Sequence, residues 1–251
     1  MEHINIILLF FVVVVAAVID TISGGGGLIT LPAMLFTGMN PIVALGTNKL
    51  QSAIGELSAT IHFIKKVKIN YNVLYIGFIY TIIGSVLGTI LLQFTPINII
   101  ELFIPLFLLI VLIYYILSSK INNTFKNKVI TPNHKKFLIS GSLIGFYNGF
   151  FGPGTGSIWS LVLMRIFRIN LQKATIYAKP LNLCGNLTAL SIFIIGVKIN
   201  YSVAIVMSIG SFLGGQIGAN FIIYKDLKVL KLIFLICISL STAGTVYKYW
   251  F

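Results

Sequence analysis

Hydrophobic positions along the chain fall in long unbroken runs separated by short polar loops. A helix that crosses about 30 Å of hydrocarbon needs about 20 apolar residues. Six stretches meet that length: 41–64, 72–93, 97–118, 172–195, 202–222 and 229–250. The loops between them carry turn signals such as Thr95-Pro96 and Asn122-Asn123. Two further stretches differ. Residues 4–39 run apolar from Ile4 to Ile19, break at Asp20-Thr21-Ile22-Ser23-Gly24-Gly25-Gly26-Gly27, and resume from Leu28 to Met39. Residues 137–167 run from Phe137 to Tyr147, break at Asn148-Gly149-Phe150-Phe151-Gly152-Pro153-Gly154-Thr155-Gly156, and resume from Ser157 to Phe167. Arms of about 11 to 16 residues reach about 16 to 24 Å as helices, short of a full crossing. The first arm is expected to be retained, because Met1-Glu2-His3 lacks a positive flank and no small-residue cleavage site follows Val15.

Composition turns these runs into a class. The chain is 57% hydrophobic and only 9% charged, with a mean hydropathy of +1.00, against roughly 25% charged residues in soluble domains. This excludes an ordinary soluble enzyme. Eighteen basic residues against five acidic ones give +13, which in a soluble chain would suggest nucleic acid. No polar domain exists here to present such a surface, so the expected partner is the lipid bilayer and the charges belong at its edges. Cys184 and Cys237 lie in apolar stretches without a second Cys or a His at ligand spacing, so no disulfide framework, metal site or other cofactor is indicated.

The chain is internally repeated. Val67-Lys68-Ile69-Asn70-Tyr71 recurs identically as Val197-Lys198-Ile199-Asn200-Tyr201. The same offset pairs Asn40 with Asn170, Ala44 with Ala174, Lys49 with Lys179, Gly55 with Gly185, Gly84 with Gly214 and Gly88 with Gly218. A shift of one residue superposes Gly25 and Gly27 on Gly154 and Gly156, so both glycine breaks belong to the repeat. The halves are then 1–119 and 137–251, joined by a basic linker over 120–136.

Lysine and arginine placement chooses between two topologies. If all eight segments cross, the halves are parallel and the basic residues divide ten to six between the faces. If the glycine-broken segments instead enter and leave on one side as re-entrant hairpins, the halves are inverted. Lys65, Lys66, Lys68, Lys120, Lys126, Lys128, Lys135, Lys136, Arg165, Arg168, Lys173, Lys225, Lys228 and Lys231 then mark the inner face, and Lys198 and Lys248 the outer. The predicted fold is therefore an all-α polytopic membrane protein of about eight apolar segments. Each inverted repeat is a glycine-broken, re-entrant or discontinuous segment followed by three crossings. Paired breaks at corresponding positions of inverted halves point to a transporter's substrate site, since irregular backbone at depth is tolerated only where it is buried or lines a cavity.

Few polar side chains lie deep in the apolar segments. Lys49 and Lys179 each sit eight residues into their helices, about 12 Å, and enter from opposite faces. An ammonium near the midplane must face a cavity or a counter-ion. The two lysines, with the free N–H groups of half-helices starting near Leu28 and Ser157, predict an anion site. Its candidate lining is Gly25, Gly26, Gly27, Thr47, Asn48, Gln51 and Ser52 from the first half, and Gly154, Gly156, Tyr177, Asn182 and Asn186 from the second. Glu56, two turns beyond Lys49 on the same face, offers the alternative of a buried structural ion pair; Lys179 has no acidic residue in its own helix, where Asn186 replaces Glu56. Glu56 and Asp20 are the only deep carboxylates, and either could carry a coupling proton. A local helix-terminal role is the competing reading of Asp20, and His62 reads as interfacial. Gly84-Gly88 and Gly214-Gly218 have the spacing that lets membrane helices pack closely. Gly24–Gly27 is no phosphate-binding loop, lacking a following Gly-Lys-Ser/Thr; without a nucleotide-binding domain an ATP-driven pump is set aside unless a separate partner supplies one.

Three segments carry a family resemblance over nearly the whole chain: Gly24-Gly25-Gly26-Gly27-Leu28-Ile29-Thr30-Leu31-Pro32, Val43-Ala44-Leu45-Gly46-Thr47-Asn48-Lys49-Leu50-Gln51, and Lys179-Pro180-Leu181-Asn182-Leu183-Cys184-Gly185-Asn186. In these the sequence resembles the sulfite exporter (TauE/SafE) family of membrane permeases. The resemblance implies a multi-pass protein of the inner or plasma membrane that moves a small sulfur-containing oxyanion or organosulfonate, usually outward. The second half departs from the pattern at Gly152-Pro153-Gly154-Thr155-Gly156 and has Ala174-Thr175-Ile176-Tyr177 where the first has Ala-x-Gly-Thr. The expected function is secondary transport of a small anion, with proton coupling available. A passive anion channel on the same framework is the alternative. An integral-membrane enzyme is the more distant one, because His3, His62 and His134 lie on different segments.

Overall fold

The computed structural model describes residues 2–119, 130–196, 198–224 and 228–251. Among them the chain forms ten helices and no strand: α1 Glu2–Ser23, α2 Gly27–Phe36, α3 Pro41–Lys66, α4 Tyr71–Phe94, α5 Ile97–Ser119, α6 His134–Phe150, α7 Thr155–Phe167, α8 Leu171–Ile195, α9 Tyr201–Tyr224 and α10 Lys228–Trp250. Lys120, Lys126, Lys128 and Lys225 lie outside the described residues, as do the side chains of Glu2, His3, Lys228, Lys231 and Cys237. Asparagine starts five of the helices. Asn40, Asn70, Asn133, Asn170 and Asn200 each turn a side-chain oxygen onto an N–H of the first turn of α3, α4, α6, α8 and α9, filling one of the donors a helix start leaves free.

The breaks are shorter than the sequence pattern suggests. Thr21 and Ser23 donate their hydroxyls to the Ala17 and Ile19 carbonyls, so the polar run from Asp20 stays helical. The first interruption is Gly24, at φ +79°. α1 thus has 22 residues, about 33 Å, rather than the short arm expected over 4–19. α2 has ten. In the second break α6 continues through Asn148 to Phe150, and α7 opens at Thr155.

α1, α4, α8 and α9 are long and apolar enough to cross a membrane. α3 has the length, but its inward face is buried and polar: Thr47, Asn48, Lys49, Gln51 and Glu56. It is therefore not the plain apolar span its run length suggests. The outside is apolar instead, with Phe11, Tyr75, Leu87, Ile139, Leu143, Ile205 and Leu240 exposed. Polar groups inside and apolar groups outside is the arrangement that a lipid solvent selects.

The halves pack by exchange. α4 lies against α6 and α9 against α1; α3 lies against α9 and α8 against α4; α3 meets α8, and α5 meets α10. Swapping α1–α5 for α6–α10 maps these contacts onto one another. Glycine sets the closest approaches. A methyl at Gly84 would stand 2.1 Å from the Ser142 carbonyl oxygen of α6, and one at Gly214 would stand 2.4 Å from the Val14 carbonyl oxygen of α1. The small-residue pairs are thus helix-packing sites.

Two ends of the bundle can be traced. At one, Ile6 and Leu9 of α1, Thr37–Met39 after α2, and Asn200, Ser202 and Val203 around the start of α9 line a cavity of about 340 Å³. There the Lys248 ammonium of α10 donates to the Leu35 carbonyl, and Gln93 of α4 donates to the Ile192 carbonyl of α8. At the other end, Lys136 of α6 donates to the Ile166 carbonyl of α7 at 3.1 Å, the Asn70 N–H donates to the Tyr177 hydroxyl, and Gln172 of α8 donates to the Ile222 carbonyl of α9. The start of α1 and the end of α2 share the first end; the start of α6 and the end of α7 share the second.

Candidate functional site

Between these ends the two glycine breaks touch. The Ser157 N–H donates to the Gly24 carbonyl at 3.1 Å and the Ser157 hydroxyl donates to the Ser23 carbonyl at 2.5 Å. A methyl on Gly24 would fall 2.1 Å from the Gly156 carbonyl carbon, so at this contact only glycine allows the backbones to meet.

The two repeat-related lysines flank that contact and make the same grip on the opposite half. Lys49, 1% exposed, donates to the backbone oxygen of Asn148 and, at 2.8 Å, to its side-chain oxygen. Lys179, 1% exposed, donates to the backbone oxygen of Asp20 at 2.6 Å and forms an ion pair with its carboxylate at 2.5 Å. Asp20 stands three residues before the end of α1, and Asn148 two residues before the end of α6. Each ammonium therefore sits at a helix C-terminus, the negative end of its dipole, where the Asp20 carbonyl also accepts from the Gly24 N–H at 2.6 Å. The difference between the halves is one of charge: a carboxylate faces Lys179 and an amide faces Lys49.

Around the lysines lies a polar network drawn from α3, α6 and α8. Lys49 also donates to Asn186 Oδ1 at 3.2 Å. Asn186 Nδ2 donates to one Glu56 oxygen at 2.8 Å, Asn182 Nδ2 donates to the other, and Asn148 Nδ2 donates to Asn182 Oδ1 at 2.8 Å. Glu56 is thus held by two amides, and Lys49 is shared among amide and carbonyl oxygens instead of pairing with it. Lys179 and Asp20 form a largely buried ion pair; the acidic partner that Lys179 lacks in its own helix comes from α1.

On the α1 side Asp20 Oδ1 accepts from the Gly26 N–H at 2.8 Å. Thr30 and Gln51 both donate to Asn48 Oδ1 at 2.7 Å, and Ser211 of α9 donates to Gln51 Oε1 at 2.9 Å. Asp20, Gly26, Gly27, Thr30, Gln51, Ser52 and Ser211 border a small cavity with about 10 Å³ open to the centre of a water molecule, space for about one water.

Most of the residues singled out from the sequence meet here: Lys49, Lys179, Asp20, Gly26, Gly27, Asn48, Gln51, Glu56, Asn182 and Asn186. Gly25 is buried in the break beside them. Thr47 is turned toward the first end of the bundle, where its hydroxyl accepts from the Asn200 N–H at 3.0 Å. Gly154 faces Val111 of α5 and Leu28, and Gly156 packs on Gly24. The sequence pattern does not single out Asn148, Thr30 or Ser211. For Asn148 a signal exists, since an offset of 128 sets it opposite Asp20.

The family model for the sulfite exporter TauE/SafE matches residues 9–245. The chain belongs to the sulfite exporter TauE/SafE family. It is 39% identical over 230 residues to a probable membrane transporter protein of Haemophilus influenzae, an alignment covering 90% of this chain and 88% of that one. It is 35% identical over 221 residues to the probable membrane transporter protein YfcA of Escherichia coli K12, covering 88% and 82%. It is 34% identical over 217 residues to the probable membrane transporter protein ORF9 of a Sinorhizobium species, covering 86% and 82%. No solved structure matches the chain significantly. As a TauE/SafE protein with several long apolar helices, it is a multi-pass membrane transporter.

Proposed function

We propose that the chain is a secondary transporter for a small anion, a sulfur-containing oxyanion or an organosulfonate, working as a proton-coupled exporter in the inner or plasma membrane. The observation that carries this reading is the pair of buried lysines, repeat-related and gripping opposite half-helices around a touching pair of glycine breaks. Two cations buried at the centre of a membrane bundle are expensive to retain unless they have ionic work to do. The family model's description, a sulfite exporter, supports the substrate class. Substrate contacts are assigned to Lys49, Lys179, Gly25, Gly26, Gly27, Thr47, Asn48, Gln51, Gly154, Gly156, Asn182 and Asn186, and the coupling proton has Glu56 and Asp20 available.

In this reading residues 1–119 and 137–251 are inverted repeats joined by the linker 120–136. The broken pairs α1–α2 and α6–α7 are re-entrant hairpins, one opening to each face. The shared end of α1 and α2, and the opposite shared end of α6 and α7, support it. So does charge. The described Lys65, Lys66, Lys68, Lys135, Lys136, Arg165, Arg168 and Lys173 belong to the end where α6 starts, and Lys198 and Lys248 to the other. In this reading the first group faces the cytoplasm.

The test is an anion panel of sulfite, thiosulfate, sulfate and methanesulfonate, offered to purified protein in proteoliposomes with and without a pH gradient. Saturable flux of a sulfur anion that responds to the gradient is expected. Flux confined to other solutes would overturn the substrate assignment.

A further inference from the structure

We propose that the Asp20 carboxylate occupies the place taken by the transported anion, so that a proton arriving on Asp20 is what admits the anion. This rests on the anion-transport reading above. Asp20 is bound as an incoming oxyanion would be: one oxygen on the Lys179 ammonium at 2.5 Å, the other on the Gly26 N–H at 2.8 Å in the opening turn of α2. A charged donor and a helix-start N–H are the two contacts oxyanion sites most often supply. The neighbouring cavity holds about one water, and a sulfur oxyanion has several times that bulk. An anion therefore reaches Lys179 only where the carboxylate gives way.

The charges facing Asp20 decide what moves it. α8 brings Lys179; α3 brings Glu56, within electrostatic reach of Asp20, Lys179 and Lys49; α2 and α9 bring only Gly26, Gly27, Thr30 and Ser211 to the cavity. The Asp20 side chain is 20% exposed while Lys179 is 1% exposed, so Asp20 is the member of the pair that a proton can reach. Protonation turns the carboxylate into a neutral carboxyl and releases its hold on the ammonium and the Gly26 N–H. The buried ammonium, left with the neutral Asp20 backbone oxygen, is then unfavourable until an anion replaces the lost charge. A monoanion and the proton thus enter with no change in net charge, and departure of the anion returns Asp20 to Lys179 as its proton leaves.

Glu56 is not equivalent. Its oxygens accept from Asn182 and Asn186, so a proton there frees no cation. The second half carries its own control: Lys49 grips Asn148 through the same two kinds of oxygen, but an amide has no charge to neutralise. Of the two lysine grips, Lys179–Asp20 is accordingly the one that works as a proton switch.

The experiment is calorimetric binding of sulfate and of methanesulfonate, whose charges stay constant between about pH 5.5 and about pH 8.5, to the full-length protein in detergent. In the wild type, affinity is expected to rise as pH falls, by up to about tenfold per pH unit. Asp20→Asn should bind tightly with no pH slope. Asn148→Asp, which sets a carboxylate on Lys49, should weaken binding at about pH 8 by tenfold or more and steepen the slope; it decides the matter if Asp20→Asn fails to fold. A slope that persists in Asp20→Asn, or affinity unchanged in Asn148→Asp, overturns the proposal. Wild-type binding without pH dependence overturns it and leaves anion transport standing, whereas no binding of any sulfur anion at any pH overturns the transport reading itself.

Discussion

The side-chain amide of Asn186 holds two ionic groups at once, its oxygen accepting from Lys49 and its nitrogen donating to Glu56. Replacing it with leucine removes an acceptor from one buried charge and a donor from the other. Asn186→Leu is expected to cost about 2 to 4 kcal/mol, seen as a fall in the thermal midpoint of the detergent-solubilised protein, whereas Leu187→Ala, on an exposed neighbour, should change it little. At this scale the sequence was informative wherever a charge interrupted an apolar run, which is why Lys49, Lys179, Glu56 and Asp20 stand out unaided. Partners were less legible. Lys49 has Glu56 two turns away in its own helix yet bonds across the molecule to Asn148, 99 residues on. Lys179 takes Asp20 from 159 residues away. Such pairings follow from how the halves exchange helices, which a run of hydropathy does not record.

Among the elements, the glycine breaks were visible because four consecutive glycines cannot continue a helix, while their edges were not. Hydroxyl-to-carbonyl bonds from Thr21 and Ser23 keep α1 helical through residues that look like loop. Helix starts were better marked, since asparagine stands before α3 and α4 and again before α8 and α9. Re-entrant hairpins make a sharp prediction about the twin Val-Lys-Ile-Asn-Tyr motifs. With Cys184 and Cys237 replaced by alanine, Lys68→Cys and Lys198→Cys should react with a membrane-impermeant maleimide from opposite sides: Lys68→Cys from the cytoplasm and Lys198→Cys from outside. Labelling of both from one side would mean that every segment crosses and the halves run parallel.

For the whole molecule, duplication explains both the paired packings of α4 on α6 and α9 on α1 and the paired lysine grips at the centre. The copies have since diverged in charge: Asp20 and Glu56 belong to the first half, and amides stand at the corresponding places in the second. The formal +13 separates, on the inverted reading, into loop charges that orient the protein and two buried lysines that orientation does not require. Those two lysines are the central claim, and counterflow in proteoliposomes tests it most directly. Vesicles loaded with unlabelled substrate anion should transiently accumulate radiolabelled anion with wild-type protein. Lys49→Ala and Lys179→Ala, reconstituted at equal density, should each reduce the overshoot at least tenfold. An undiminished overshoot in both variants would contradict the account.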